Sequence, residues 1–155
     1  MNSSMPLRAS HRAQGTTLPE LIVAIALIAL VSGLVLPSIK RGFDRIQARG
    51  AARTTMMAFF TARAEAIAHG RRTVVLLDSK RSRVTVVGGA DTLVARPIGA
   101  DFGVGMLATR DSMTFFPDGL GLGGANLSVI ITRGAAADTV IVSREGRVKL
   151  GSKAR

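Results

Sequence analysis

The feature that most constrains this chain is a run of sixteen residues, Leu21 to Leu36, without a single charged side chain. As an α-helix rising about 1.5 Å per residue it would span roughly 24 Å, somewhat short of a bilayer hydrocarbon core of about 30 Å. Counting from Thr16 to Ile39 closes the gap, but the longer stretch takes in Pro19, Glu20 and Pro37. A segment of this kind is a signal peptide, an anchor, or an anchor with a further task. A signal peptide has an apolar core of about 7–15 residues followed by small residues before a cleavage site, and no such site precedes Lys40. A plain anchor leaves Glu20 unexplained, because an ionisable group in a membrane segment is costly and marks a functional site unless it lies at the interface and snorkels.

The charges around the run give conflicting advice. Arg8 and Arg12 precede it, whereas Lys40, Arg41, Arg45 and Arg49 follow it closely. The positive-inside rule therefore puts the C-terminal part in the cytoplasm.

Behind the run there is room for one modest domain in a chain of 155 residues. The absence of cysteine removes disulfides, thiol nucleophiles and thiolate metal sites, and only His11 and His69 offer imidazole. Lys40 to about His69 reads as a continuation of the apolar helix. Phe43, Ile46, Arg53, Met57, Phe60, Ala64 and Ile67 recur at three- and four-residue steps, broken at Gly50. The apolar members are expected to face a sheet, with Met56, Met57, Phe59 and Phe60 in the core. Arg41, Arg45 and Arg49 share one helix face with Arg53 oblique to it, placed to meet lipid headgroups, a neighbouring subunit or solvent. Gly70 is the stop.

From Gly70 onward short β-rich runs alternate with turns. Strands are expected at 73–78, 83–87, 92–96, 113–116, 127–133, 139–144 and 147–150, with loops at 97–111 and 134–138. The fold class is thus α+β, one long helix packed on antiparallel sheet. Gly119 to Gly124 satisfies G-x-G-x-x-G literally, but a β-run follows it, so the helix N-terminus of a dinucleotide site is missing. Asp101, Asp111 and Asp118 do not have Ca²⁺-loop spacing. His69 lacks a credible nucleophile. No enzymatic activity, cofactor or metal is expected.

Gly15-Thr16-Thr17-Leu18-Pro19-Glu20-Leu21, the apolar run and Pro37 together resemble the class III signal of type IV prepilins and pseudopilins. The resemblance implies that a prepilin peptidase cuts after Gly15 and that the new amine on Thr16 is methylated, although the usual first mature residue is phenylalanine. Glu20 falls on the family's glutamate and Pro37 on its proline. It also implies that residues 1–15 are a leader left inside and that the domain lies outside the inner membrane, against the positive-inside count. Glu20 then acquires a task. A carboxylate in apolar surroundings needs a partner, and the amine of a neighbouring subunit supplies one and sets axial register. Pro37, lacking an N–H, is expected to kink the helix.

A second resemblance covers most of the remainder. Ala62-Arg63-Ala64-Glu65-Ala66-Ile67 followed by Val74-Val75-Leu76, Met113-Thr-Phe-Phe-Pro-Asp-Gly119, and Val140-Ile-Val-Ser-Arg-Glu-Gly-Arg-Val148 are similar to the GspH/FimT-like minor pseudopilin family. The resemblance implies a leader (1–15), a transmembrane assembly helix (16–39), its amphipathic continuation (40–70) and a periplasmic β-rich domain (71–155). The partners are the prepilin peptidase, other pilins or pseudopilins of the same fibre, and inner-membrane lipid. The work implied is that of a minor pseudopilin of type II secretion, near the fibre tip.

The charge balance holds an alternative open. The formal charge of +11, less Arg8 and Arg12, leaves +9. Residues 144–155 hold Arg144, Arg147, Lys149, Lys153 and Arg155 against Glu145 alone. Such clusters bind phosphates in a sequence-independent, salt-sensitive way. The DNA-uptake members of the family carry a Gly-Arg-x-Arg-like segment that Gly146-Arg147-Val148-Lys149 is similar to, so DNA is a further partner through Arg147, Lys149, Lys153 and Arg155. With no tyrosine or tryptophan, single-strand stacking platforms are missing. The competing reading is that Arg147 belongs to a structural Gly-Arg-Val turn.

Overall fold

The computed structural model describes residues 17–122 and 126–152. One helix, α1, runs from Leu18 to Ala68. The chain divides at Pro37 into two compact units, and the second begins at Ser38.

The first unit is the apolar part of α1. Its Leu, Ile and Val side chains from Leu18 to Leu36 that are described are all exposed, as those of a membrane-crossing or bundle helix must be before it is embedded. By length and composition α1 can cross a membrane. Thr17 precedes the first helical residue and Glu20 sits at the third, a Thr-x-x-Glu capping box in sequence. Pro19, in the first turn, gives up an N–H that no intrahelical acceptor would have met.

Among the described residues the second unit carries the rest of α1, a short helix α2 (Ile98–Phe102), and nine strands: β1 (Thr73–Asp78), β2 (Arg83–Gly88), β3 (Asp91–Arg96), β4 (Gly105–Ala108), β5 (Ser112–Phe115), β6 (Gly121–Leu122), β7 (Leu127–Arg133), β8 (Ala136–Val142) and β9 (Val148–Ser152). They form two antiparallel sheets, in the orders β3-β2-β1-β5-β6 and β4-β7-β8-β9. Gly70, with φ +59°, ends α1 in the left-handed conformation that glycine adopts without a Cβ clash. The α+β class holds.

The core is continuous across helix and sheets. Val75, Leu77, Val84, Val86, Met113 and Phe115 come from the first sheet; Met106, Leu127, Val129, Ile131, Val140 and Val142 come from the second. Alternate residues point inward, as the two-residue period of a strand requires. Phe59 meets Phe115 edge-on, with centroids 6.5 Å apart and planes at 71°. At about 25 cal/mol per Å² of apolar area withdrawn from water, burial of these branched and aromatic side chains dominates the stability of the unit.

The buried face of α1 corrects the expected one. Ala48, Ala51, Ala52, Thr55, Ala58, Phe59, Ala62 and Ala66 are buried, whereas Phe43, Ile46, Met57, Phe60 and Ile67 are exposed. Of the four residues expected in the core, Phe59 alone is fully buried, and Met56 is packed at its margin. The buried face of α1 is thus mostly alanine, with Phe59 as the one large side chain fully buried on it. Buried Thr55 is no exception to polar satisfaction, because its hydroxyl donates to the Ala51 carbonyl at 2.9 Å.

Two loops were expected too long. Residues 97–111 contain α2 and β4. Residues 136–138 belong to β8 and pair with Arg133, Thr132 and Ile131 of β7, leaving Gly134-Ala135 as a two-residue turn with Gly134 at φ +53°. An Ala-Ala-Ala-Asp segment carries no β-branched signal, and pairing with β7, joined at Asp138 by Ser152 of β9, supplies the ladder that its side chains do not announce.

Candidate functional site

Of the residues expected to act in assembly, Glu20 lies in the first turn of α1 and Pro37 in its interior. Glu20 is exposed, and its Oε2 accepts the Thr17 N–H at 3.4 Å, long for a hydrogen bond. The carboxylate thus already favours the helix N-terminus, whose unpaired N–H groups and dipole attract negative charge. Pro37 lies inside α1, where its ring removes the bond that the Gly33 carbonyl would otherwise accept. Gly33 has open space where a Cβ would stand. Gly15 and Thr16 lie outside the described residues.

Below Pro37 the exposed surface of α1 is both apolar and basic. Phe43, Ile46, Met57, Phe60 and Ile67 are exposed among Arg45, Arg49 and Arg53. Arg41 donates to the Ser38 hydroxyl at 3.3 Å.

One polar constellation escaped the sequence reading. Asp44 is buried, and its Oδ1 accepts a bond from Arg133 Nε at 3.0 Å. The same guanidinium donates to the Phe102 carbonyl at the end of α2 and lies over the Phe43 ring at 5.2 Å. Arg133 thereby ties α1, α2 and the last residue of β7 together. Gly103 and Gly134 make room for it: a Cβ on Gly103 would strike Arg133, and one on Gly134 would strike the Asp44 carboxylate. The available clue was that Asp44 is the one acid between Glu20 and Glu65, set among four bases.

The basic residues near the C-terminus are partly gathered. Arg147 and Lys149 flank a concave surface with Asn126, Ile141 and Ser143, of about 290 Å³. Lys149 pairs with Ile141 across the β8–β9 ladder, and Arg147, two residues earlier, falls on the same side. Arg147 is also engaged locally. Its Nη2 meets Glu145 Oε2 at 2.7 Å, with both side chains largely exposed. That contact holds the Glu145 carboxyl below its ordinary range, chiefly through the hydrogen bond from Arg147 and then through its charge. Lys153 and Arg155 lie outside the described residues.

Gly146 explains why the turn has its form. It stands at φ +73°, is buried, and its carbonyl accepts Arg63 Nη1 at 3.3 Å. A Cβ there would approach the Gly119 carbonyl at 2.6 Å and Arg63 Nε at 3.0 Å. The Pro117-Asp118-Gly119 turn and the Ser143–Arg147 turn therefore close on one another around Arg63. This structural reading of the Gly-Arg-Val segment holds for Gly146; it leaves the guanidinium of Arg147 at the surface.

The G-x-G-x-x-G match dissolves into local structure. Gly119 is in a turn at φ +78°, Gly121 and Leu122 form β6, and the next described element is the strand β7. Gly123 and Gly124 lie outside the described residues. Among the described residues no group of three His, Asp or Glu side chains is placed to hold a metal.

Comparison with known proteins gives this arrangement a setting. The type IV minor pilin FimU of Pseudomonas aeruginosa, in one crystal form, superposes with a TM-score of 0.57 at 16% identity over 67% of this chain and 92% of FimU. A second FimU crystal form gives 0.58 at 17%, over 70% and 90%. The minor pseudopilin EpsH from the type 2 secretion system of Vibrio cholerae gives 0.56 at 13%, covering 70% of this chain and 99% of EpsH. Among curated proteins no sequence matches the chain. At these identities the structural likeness shows a shared pilin-like fold. The family model for type II transport protein GspH matches residues 51–146, more than half of the sequence, from the alanine face of α1 through both sheets to the Gly146 turn. By that match the chain belongs to the GspH family of pilin-like subunits.

Proposed function

We propose that the chain is a minor pseudopilin of a type II secretion system, anchored in the bacterial inner membrane with its β-domain in the periplasm and assembled near the fibre tip. The observation that carries this reading is the pairing of an apolar helix with no covering of its own and a separately cored domain of the GspH family. A prepilin peptidase cuts between Gly15 and Thr16 and methylates the Thr16 amine. The helix is then drawn from the bilayer into a bundle of like helices, where its exposed leucines, isoleucines and valines are buried against neighbours. Glu20 is exposed in the single chain and, among the described residues, accepts a long bond from Thr17 alone. The amine of an adjacent subunit is a stronger partner, and a buried carboxylate without one costs several kcal/mol. Registers that leave Glu20 unpaired are disfavoured on that scale.

The intact mass of membrane-extracted protein, co-produced with a prepilin peptidase, tests the processing step. The expected product begins at Thr16 and carries one added methyl, and Gly15→Ala abolishes it. A full-length, unmodified chain beside an active peptidase refutes the assembly reading.

A second reading is favoured by Arg147 and Lys149 flanking one concave surface. It makes the chain a pilus minor pilin that holds DNA for uptake through Arg147, Lys149, Lys153 and Arg155. Phosphate contacts of this type give an affinity that falls linearly in log[salt]. Neutralising all four residues should remove both the affinity and its salt slope; an unchanged slope refutes DNA binding there.

A further inference from the structure

The first sheet ends in an open edge beside a cleft. β3 is hydrogen-bonded on one side to β2 and, among the described residues, has no strand on the other. Edge strands are commonly blunted, and β3 is blunted at one end: Val86 pairs with Val94 but Val87 pairs with Thr92, so Leu93 is an extra residue in the ladder. From Val94 to Arg96 the pairing is regular.

That regular half borders a cleft of about 420 Å³. Its apolar lining comes from Met57 and Ala58 of α1, Val94 of β3 and Phe102 of α2, with the α1 residues Thr54 and Thr61 beside them. Phe102 is seated against α1 at Gly50, where a Cβ would lie 2.9 Å from its ring. Arg53 and Arg96 also line the cleft, and no ion pair engages either among the described residues. Asp101 is the one acid among the lining residues. An apolar trough with two uncommitted guanidinium groups, beside strand edges with free N–H and C=O groups, has the parts that β-strand addition uses.

We infer that the β3–α1 cleft is a docking site for an extended segment of a partner protein, added antiparallel or parallel to Val94–Arg96. The segment carries a large apolar side chain and, two residues on, a carboxylate. The apolar side chain fills the trough over Ala58 and Phe102, and the carboxylate lies between Arg53 and Arg96. Charge complementarity selects this occupant: a basic segment meets two arginines, and one without a carboxylate leaves them unpaired. The inference does not depend on which fibre the chain serves.

The test uses the full chain in detergent micelles and a fluorescein-labelled, amidated peptide, Thr-Leu-Thr-Glu-Thr-Val, beside the same peptide with lysine in place of glutamate. Anisotropy should show the glutamate peptide binding at least fivefold more tightly, and amide exchange at Val94–Arg96 should slow at least threefold in its presence. In the doubly reversed variant Arg53→Glu/Arg96→Glu the order of the two peptides should invert. Both arginines are at the surface, so the variant is expected to keep the wild-type far-UV CD spectrum. Equal affinities, binding without protection of β3, or a preference unchanged in the reversed variant would each overturn the inference. So would displacement of the peptide by a short DNA duplex, which would make the cleft a phosphate site.

Discussion

The Asp44–Arg133 pair offers the sharpest test of how this domain is held together. Asp44→Ala removes the acceptor of the Arg133 Nε bond and leaves a guanidinium that is only about a quarter exposed (side-chain relative accessibility 26%). Its remaining partners are the Phe102 carbonyl and the Phe43 ring. Exposed pairs are worth about 0–1 kcal/mol, and stripping one partner from a fully buried pair costs about 3–5 kcal/mol. This pair lies between those limits, so we expect a loss of about 2 kcal/mol, equivalent to about 8 °C in Tm for a unit of this size. Because the chain has no tryptophan or tyrosine, unfolding is best followed by far-UV CD of the β-domain in urea. Arg133→Met and the double variant complete a cycle. Replacing both charges should cost less than the sum of the single changes, with a coupling of about 1 kcal/mol or more. A loss below about 0.5 kcal/mol for Asp44→Ala, or additive single changes, would refute the claim that Arg133 ties α1 to β7 and α2.

Three further outcomes follow from the same structure. Ala62→Leu, at a fully buried position under α1, should cost about 1–3 kcal/mol by overpacking, whereas Met57→Ala on the exposed stripe should stay within about 0.5 kcal/mol; equal effects in urea unfolding would mean that the buried face is misassigned. Gly146→Ala places a Cβ at φ +73° against the Gly119 carbonyl and should destabilise by at least about 1 kcal/mol, while Gly33→Ala, with open space around it, should leave the β-domain midpoint unchanged. Glu145→Gln releases Arg147 and should raise DNA affinity on the second reading, measured by anisotropy at fixed salt; no change would show that the pair does not compete. The Glu145 carboxyl is held below its ordinary range, so the pair's contribution is present above the unfolded carboxylate pKa and is lost only as pH falls through the lower folded value. The release should therefore be insensitive to pH between about 6 and 8.

What was legible in the sequence was local. A sixteen-residue run without charge has few structural uses, and Gly70, Pro117-Asp118-Gly119 and Glu145-Gly146 mark chain reversals because glycine alone takes the left-handed region without strain. The valine- and isoleucine-rich runs of β1, β2 and β7 were read within a residue, since alternation is written into neighbouring positions. Tertiary structure decided the rest. Which face of α1 is buried was decided by the shared core it makes with the two sheets. Large side chains at helical spacing pointed one way; the alanines at 48, 51, 52, 58, 62 and 66, with Thr55 and Phe59, form the buried face instead. The assignment of 136–138 to β8 came from pairing with β7 and, at Asp138, with β9, and the Asp44–Arg133 pair joins residues 89 positions apart. Such contacts are properties of the assembled sheets and helix, and no window of sequence contains both of their ends.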